Sequence, residues 1–206
     1  MNPVSPLIQI VDDDDAVRDS LALLIGSVGL RVAGWKYPEA FLADFDREAI
    51  GAIVLDVRMP GSSGLTVLEL LRAQCVDQPV IMLTGHGTVD LCRRAFKSGA
   101  AEFLEKPVDD EVLLEALHKA VRAHGLSRER LAADREVRAR VDALSERERE
   151  VLVQVVAGLT NKEIARALGL SPRTVETHRA NLSNKLQVGS LAQLIRRYGA
   201  LVDGAA

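Results

Sequence analysis

The sequence predicts two domains of different class: an α/β domain on a five-stranded, doubly wound parallel sheet, then a small all-helical one. Three observations lead there. Over residues 1–124, short apolar runs alternate with amphipathic helical segments, the pattern of strands joined by crossover helices. The runs are apolar almost throughout, as a sheet covered on both faces requires. Charge then divides the chain. Residues 1–124 carry 12 Lys/Arg and 19 Asp/Glu, and residues 125–206 carry 14 and 10, so a net of −7 precedes a net of +4 and the two sum to −3.

Taken in order, residues 7–11 read as the first strand, ending on Asp12-Asp13. Val17, Leu21, Leu24, Ile25 and Val28 recur at helical spacing behind a cap at Asp14 or Asp15, and Gly29 stops that helix. Residues 31–35 are a second strand and 39–45 a short helix. The third strand, 52–55, runs into Asp56. Leu65, Leu68, Leu70 and Leu71 mark the next helix. Pro79 precedes strand 80–83, which ends on Thr84. Val89, Ala95 and Phe96 give a helix closed by Gly99, and strand 101–105 ends on Lys106-Pro107. Asp109 caps a helix whose apolar face is Val112, Leu113, Ala116, Leu117 and Val121.

The texture changes at Gly125. From 127 to 142 charges of both signs crowd together, so 125–141 is a linker, either flexible or a solvated helix. Ser145-Glu146-Arg147-Glu148 is a capping box, opening a helix that buries Val151, Leu152, Val155 and Val156 and stops at Gly158. A short helix spans 161–168 and is closed by Gly169. Ser171-Pro172 starts a third, running to about Leu186, and Ser190 caps a fourth through about Tyr198. The division is therefore 1–124, 125–141 and 142–206. Cys75 and Cys92 lack metal or redox spacing. No apolar stretch approaches a membrane span, and residues 1–6 lack a basic start and apolar core, so a cytoplasmic protein with no membrane partner is expected.

Ligands of open parallel sheets bind at the carboxyl ends of the strands. Asp12, Asp13, Asp56, Thr84 and Lys106 all fall there. Singly, each is an ordinary turn or cap residue; together, on strands one, three, four and five of one sheet, they form a phosphoryl site. A carboxylate such as Asp56 can accept a phosphoryl group as an acyl phosphate. The donor is anionic, so a divalent cation is needed between the two. Mg²⁺ suits a site with few carboxylates, since it keeps waters and phosphate oxygens. Thr84 and Lys106 are placed to meet phosphoryl oxygens.

With those residues in view, 1–124 resembles the receiver domain of bacterial two-component response regulators, a flavodoxin-like (CheY-like) fold. The resemblance rests on Val11-Asp12-Asp13, Asp56-Val57-Arg58-Met59-Pro60-Gly61, Thr84-Gly85-His86 and Phe103-Leu104-Glu105-Lys106-Pro107. It implies that Asp56 takes phosphate from a sensor histidine kinase. It implies Mg²⁺ held by Asp13, Asp56 and the Arg58 backbone carbonyl, with Asp12 close behind, and a cis Lys106–Pro107 bond. It also implies a Thr84–Phe103 switch pair, with Phe in place of the frequent Tyr. Aspartyl-phosphate hydrolases of the haloacid dehalogenase type carry an acidic Asp two residues after the nucleophile; here that position is Arg58. Asp56 therefore reads as a phosphate holder with slow self-dephosphorylation at most, not as the nucleophile of an enzyme.

In the basic end, 161–168, a turn at Gly169-Leu170 and 172–186 have the proportions of a helix-turn-helix. Val175, Leu182 and Leu186 take the buried face. Arg173, Glu176, Thr177, Ala180 and Asn181 take the other, and Lys162, Arg173, Arg179 and Lys185 are placed to meet phosphates. Leu144-Ser145-Glu146-Arg147-Glu148, Asn161-Lys162-Glu163-Ile164-Ala165 and Ser171-Pro172-Arg173-Thr174-Val175-Glu176-Thr177-His178 resemble the LuxR/NarL-type helix-turn-helix. That resemblance implies that 172–186 enters the major groove of promoter DNA, with Glu176, Thr177 and Ala180 at base edges and Lys162, Arg173, Thr174, His178 and Arg179 on the backbone. The fourth helix would pair two copies, so a homodimer forms on phosphorylation, through a receiver surface at 88–104 or by release of the C-terminal domain. Both halves together resemble FixJ-type response regulators. Two alternatives stay open: a phosphotransfer or phosphatase enzyme with a basic scaffold domain, and a constitutive DNA-binding protein with a vestigial receiver.

Overall fold

The computed structural model of the chain describes residues 5–203. Residues 1–4, part of the stretch read for a signal segment, and 204–206 lie outside them. The elements run β1 (Leu7–Val11), α1 (Asp15–Ser27), β2 (Arg31–Trp35), α2 (Pro38–Asp44), β3 (Gly51–Asp56), α3 (Gly64–Ala73), β4 (Val80–Thr84), α4 (Val89–Lys97), β5 (Glu102–Glu105) and α5 (Asp110–Asp142). Then follow α6 (Glu146–Val156), α7 (Asn161–Leu168), α8 (Pro172–Leu186) and α9 (Leu191–Asp203). Contacts divide the chain into two units, 1–129 and 130–206.

In the first unit five parallel strands take the order β2-β1-β3-β4-β5. Side chains alternate across a strand, so one strand feeds two cores. Ile8, Ile10, Val54, Ile81 and Leu83 meet Leu21 and Ile25 of α1 and Leu113 and Leu117 of α5. Ile53, Leu55, Val80 and Met82 meet Phe41 of α2, Leu65 and Leu68 of α3 and Ala95 of α4. Helices therefore cover both faces. This explains the near-continuous apolar runs, and it leaves only the sheet's two ends open to polar chemistry.

The two ends are built differently. At the amino end, buried amides close the gap: Gln9 donates to Gln78 Oε1 and the Asp46 carbonyl, both at 3.1 Å, and Gln78 donates to the Asp46 and Ala49 carbonyls at 2.8 Å. At the carboxyl end the loop after β3 folds back tightly on Asp56. The Gly64 amide donates to the Val57 carbonyl at 3.0 Å, and a Cβ on Gly64 would lie 2.0 Å from the Asp56 carbonyl oxygen. Only glycine admits that approach.

The charged stretch 125–141 is helical and belongs to α5. Its periodicity was unreadable because few apolar residues mark a face. In the second unit Leu144, Val151, Leu152, Val155, Ile164, Val175, Leu182, Leu186, Leu194 and Tyr198 form one core, with Val137 and Val141 of α5 packed on it. Ser145 and Thr160 each cap their helix with a complete capping box. The fourth helix continues past Tyr198 to Asp203, since no proline stops it. Among the described residues no helix is long and apolar enough to cross a membrane.

Candidate functional site

The strand order brings the sequence-predicted polar residues to one edge. β1 delivers Asp12, β3 delivers Asp56, and Lys106 directly follows β5, with a cis peptide joining it to Pro107. Lys106 Nζ donates to Asp12 Oδ2 at 2.5 Å and to Asp56 Oδ1 at 2.7 Å. The second oxygen of Asp56 accepts the Arg58 amide at 2.8 Å, and that of Asp12 accepts the Asp14 amide at 3.0 Å. Asp12 is 2% and Asp56 6% exposed.

Two buried carboxylates thus share one partly buried ammonium. Burial is the main influence on Asp56 and holds its carboxyl above the ordinary range; Lys106 opposes the rise and the neighbouring Asp12 adds to it. Burial alone would lower the Lys106 ammonium, but its hydrogen bonds to Asp12 and Asp56 outweigh that and hold it above its usual value. The two directions agree with the charge count: one cation satisfied twice, and anions in excess.

Asp13 is half-exposed and Arg58 exposed, and both line an open groove of about 810 Å³ at this edge, with Met59, His86, Asp90 and Arg94. Among the described residues no three His, Cys, Asp or Glu side chains form a group that could hold a metal ion. The donor chemistry present still fits Mg²⁺: two carboxylates, a backbone carbonyl and room for water, around an uncompensated negative charge.

Thr84 is fully buried, and its hydroxyl is engaged with the backbone of His86, accepting the amide at 3.2 Å and donating to the carbonyl at 3.3 Å. It makes no hydrogen bond to Asp56. Phe103 is half-buried against the α2–α4 core and lines a hollow of about 460 Å³ with Val89, Cys92 and Phe96. Thr84 and Phe103 are therefore at the edge but outside the Asp12–Lys106–Asp56 contact.

In the second unit Ser171 caps α8 by accepting the Thr174 amide at 3.1 Å, with Pro172 in the first turn. Val175, Leu182 and Leu186 are buried. Arg173, Glu176, Thr177 and Ala180 are exposed and, with Pro172, line one shallow hollow of about 620 Å³. Thr177 donates its hydroxyl to the Arg173 carbonyl at 3.1 Å. Lys162 is exposed on α7, and Thr174 and His178 are half-buried.

Two of the cations read as phosphate contacts already have partners within the unit. Lys185 pairs with Glu148 at 2.7 Å and reaches the Ala143 carbonyl at 3.4 Å; Arg179 donates to Asn161 Oδ1 at 2.7 Å. Glu148 is only 4% exposed, and a buried carboxylate demands a counter-charge. The bond from Lys185, followed by that from the Ser145 amide, holds the Glu148 carboxyl below its ordinary range. Glu148 was legible as the third helical residue of a capping box, whereas nothing local signals a partner 37 positions away.

Comparison with known proteins fits both halves. The model of the response regulator receiver domain matches residues 8–118, and that of the bacterial regulatory proteins of the luxR family matches residues 142–198. The transcriptional regulatory protein FixJ of Azorhizobium caulinodans is 46% identical over 207 residues, covering 99% of this chain and 96% of that protein. The tetrathionate response regulatory protein TtrR of Salmonella typhimurium is 39% identical over 191 residues, covering 93% of this chain and 91% of that protein. Among solved structures, the response regulator StyR matches with a TM-score of 0.91 at 36% identity, covering 96% of this chain and 100% of that one.

Proposed function

The chain belongs to the FixJ-like response regulators, which join a receiver to a LuxR-type DNA-binding domain in two-component control of transcription, and from that membership we propose that Asp56 is its phosphoacceptor and α8 its reading helix. The observation that carries the first assignment is the pair of buried carboxylates, Asp12 and Asp56, bridged by Lys106 at the carboxyl edge of the sheet. Residues 1–124 are the phosphoacceptor domain, 125–141 the connector and 142–206 the DNA-binding domain.

A phosphohistidine of a sensor kinase is the donor. The Asp56 carboxylate attacks phosphorus, the P–N bond breaks as the P–O bond forms, and the imidazole leaves with the electron pair. Asp13, Asp56 and the Arg58 carbonyl, with Asp12 behind them, would hold Mg²⁺, which when bound offsets the charge of donor and acceptor. Lys106 turns from Asp56 to a phosphoryl oxygen. Thr84 exchanges its bond to His86 for another phosphoryl oxygen, and Phe103 turns inward behind it. Arg58 stands where a dehalogenase-type hydrolase carries an acid–base Asp, so no carboxylate at that position takes the proton of an attacking water; the acyl phosphate is held and lost slowly, and the chain is a regulator and not a turnover enzyme.

The output follows from exposure. Glu176, Thr177 and Ala180 meet base edges from α8, with Glu176 accepting from cytosine and the Thr177 methyl touching thymine. Lys162, Arg173, Thr174, His178 and Arg179 hold the backbone, Arg179 by releasing Asn161. Phosphorylated copies pair, which places two reading helices on half-sites of promoter DNA about one helical turn apart. A chain that reads promoters works in the bacterial cytoplasm.

Labelling with a small acyl-phosphate donor and Mg²⁺ tests the acceptor. Wild type takes one phosphate, and Asp56→Asn takes none. Label on the variant at the wild-type rate removes Asp56 from the role.

A further inference from the structure

The C-terminal end of α8 is held at one atom from two other helices. The last carbonyls of an α-helix have no partner within it. In α8 the Gln187 amide closes on the Asn184 carbonyl and the Val188 amide on Ser183, with Gln187 left-handed at φ 52°. The Leu186 carbonyl receives side chains instead. Tyr198 of α9 donates its hydroxyl to it at 2.8 Å, and Arg140, from the last turn of α5, donates Nη1 at 3.2 Å. Tyr198 is fully buried, so its hydroxyl has no water to turn to. The other guanidinium nitrogen of Arg140 pairs with Glu136 one turn earlier, which orients the fork. A cation here also complements the negative end of the α8 dipole.

We propose that Arg140 and Tyr198 are positioning residues for sequence readout: by clamping the Leu186 carbonyl they fix the roll and axial register of α8, and so the places where Glu176, Thr177 and Ala180 meet base edges. This rests on the reading of α8 given above. The apolar contacts of Val175, Leu182 and Leu186 hold the helix to the core but are non-directional. Hydrogen bonds are directional, and base-edge contacts tolerate little misplacement. Phosphate contacts tolerate more, because duplex charge is continuous along the backbone. A loosened clamp therefore lowers specific affinity and spares non-specific affinity. An Arg140 committed to a carbonyl is also a basic residue that adds nothing to the salt dependence of binding.

The test uses the full-length chain treated with a small acyl phosphate and Mg²⁺. The probes are a duplex recovered by the wild type from a random-sequence pool and a scrambled duplex of equal length. Tyr198→Phe and Arg140→Met are each expected to weaken the recovered duplex about fivefold, the scale of one net hydrogen bond. The scrambled duplex and the salt slope stay at wild-type values, and Arg140→Lys restores most of the loss. Equal weakening of both duplexes marks a folding role and overturns the proposal. A salt slope reduced by about one in Arg140→Met marks a phosphate contact and overturns it as well. Wild-type discrimination in both variants removes the clamp while leaving the reading helix intact. A wild type that recovers no preferred duplex fails before any variant is made, and refutes the reading helix itself.

Discussion

The two units place their functional side chains in opposite surroundings. At the sheet edge Asp12, Asp56 and Thr84 are buried and tied to Lys106 or to backbone. On α8, Arg173, Glu176, Thr177 and Ala180 are exposed, and the buried charge of that unit, Glu148, belongs to the scaffold. A charge that is to reset a conformation must sit where water does not screen it, while a group that reads a duplex must reach out of the protein. The same residue type therefore means different things in the two halves. Lys106 is the counter-ion of two buried carboxylates, which the proposed function has it leave for a phosphoryl group; Lys185, in a basic unit, is the counter-ion of Glu148.

The sharpest way to break this contrast is to remove the cation from the buried carboxylate pair. Lys106→Met leaves Asp12 and Asp56 facing each other without compensation and is expected to destabilise the receiver by about 3 kcal/mol at neutral pH, read by denaturant unfolding. Acidification should return part of that loss, as one carboxylate protonates. Equal stability of variant and wild type at pH 7 would show that the edge is wetter than its geometry implies.

Removing the buried charge of the other half should cost less. Glu148→Gln loses the Lys185 pair and is expected to destabilise the helical unit by about 1–2 kcal/mol. The folded carboxyl titrates below its unfolded value, so its contribution is present above the unfolded pKa and is lost as pH falls through the folded one. Wild-type stability should therefore drop more steeply on acidification than the variant's, which keeps only the smaller loss from carboxylates such as Glu163; parallel pH profiles would contradict the pairing.

Asp56 has the opposite sign. Its folded carboxyl titrates above its unfolded value, so its own contribution to stability is fully present below the unfolded pKa and is lost as pH rises through the folded pKa. Asp56→Asn should raise the metal-free receiver's melting midpoint at pH 7 by about 3 °C, roughly 1 kcal/mol for a domain of this size. Mg²⁺ should raise the wild-type midpoint and leave the variant's unchanged. The smallest effect separates cations within the basic half. Arg173→Ala should lower the salt slope of DNA binding by about one, and Lys185→Ala should leave it unaltered.

Much of this was legible in the sequence, for identifiable reasons. Strands buried on both faces announce themselves as apolar runs, and the residues that end them are Asp12, Asp56, Thr84 and Lys106 in chain order. Caps at Asp14, Asp109, Ser145 and Ser171 marked helix starts because their side chains act within three residues. What escaped acts over distance. Arg140 meets Leu186 across 46 positions and Lys185 meets Glu148 across 37; Lys106 was placed at the edge with Asp12, but their direct bond across 94 was not. The charged stretch was left between a flexible linker and a solvated helix because too few apolar residues there disclose a period, and α5 runs through it. Basic residues alone could not show which were free for DNA.

The central claim, that a charge gained at Asp56 sets the DNA affinity of the helical unit, is tested most directly by one titration. The full-length chain, wild type and Asp56→Asn, is measured on its recovered duplex before and after treatment with an acyl phosphate and Mg²⁺. Affinity is expected to rise on treatment in the wild type alone. A wild-type affinity that does not change, or an equal rise in Asp56→Asn, would contradict it.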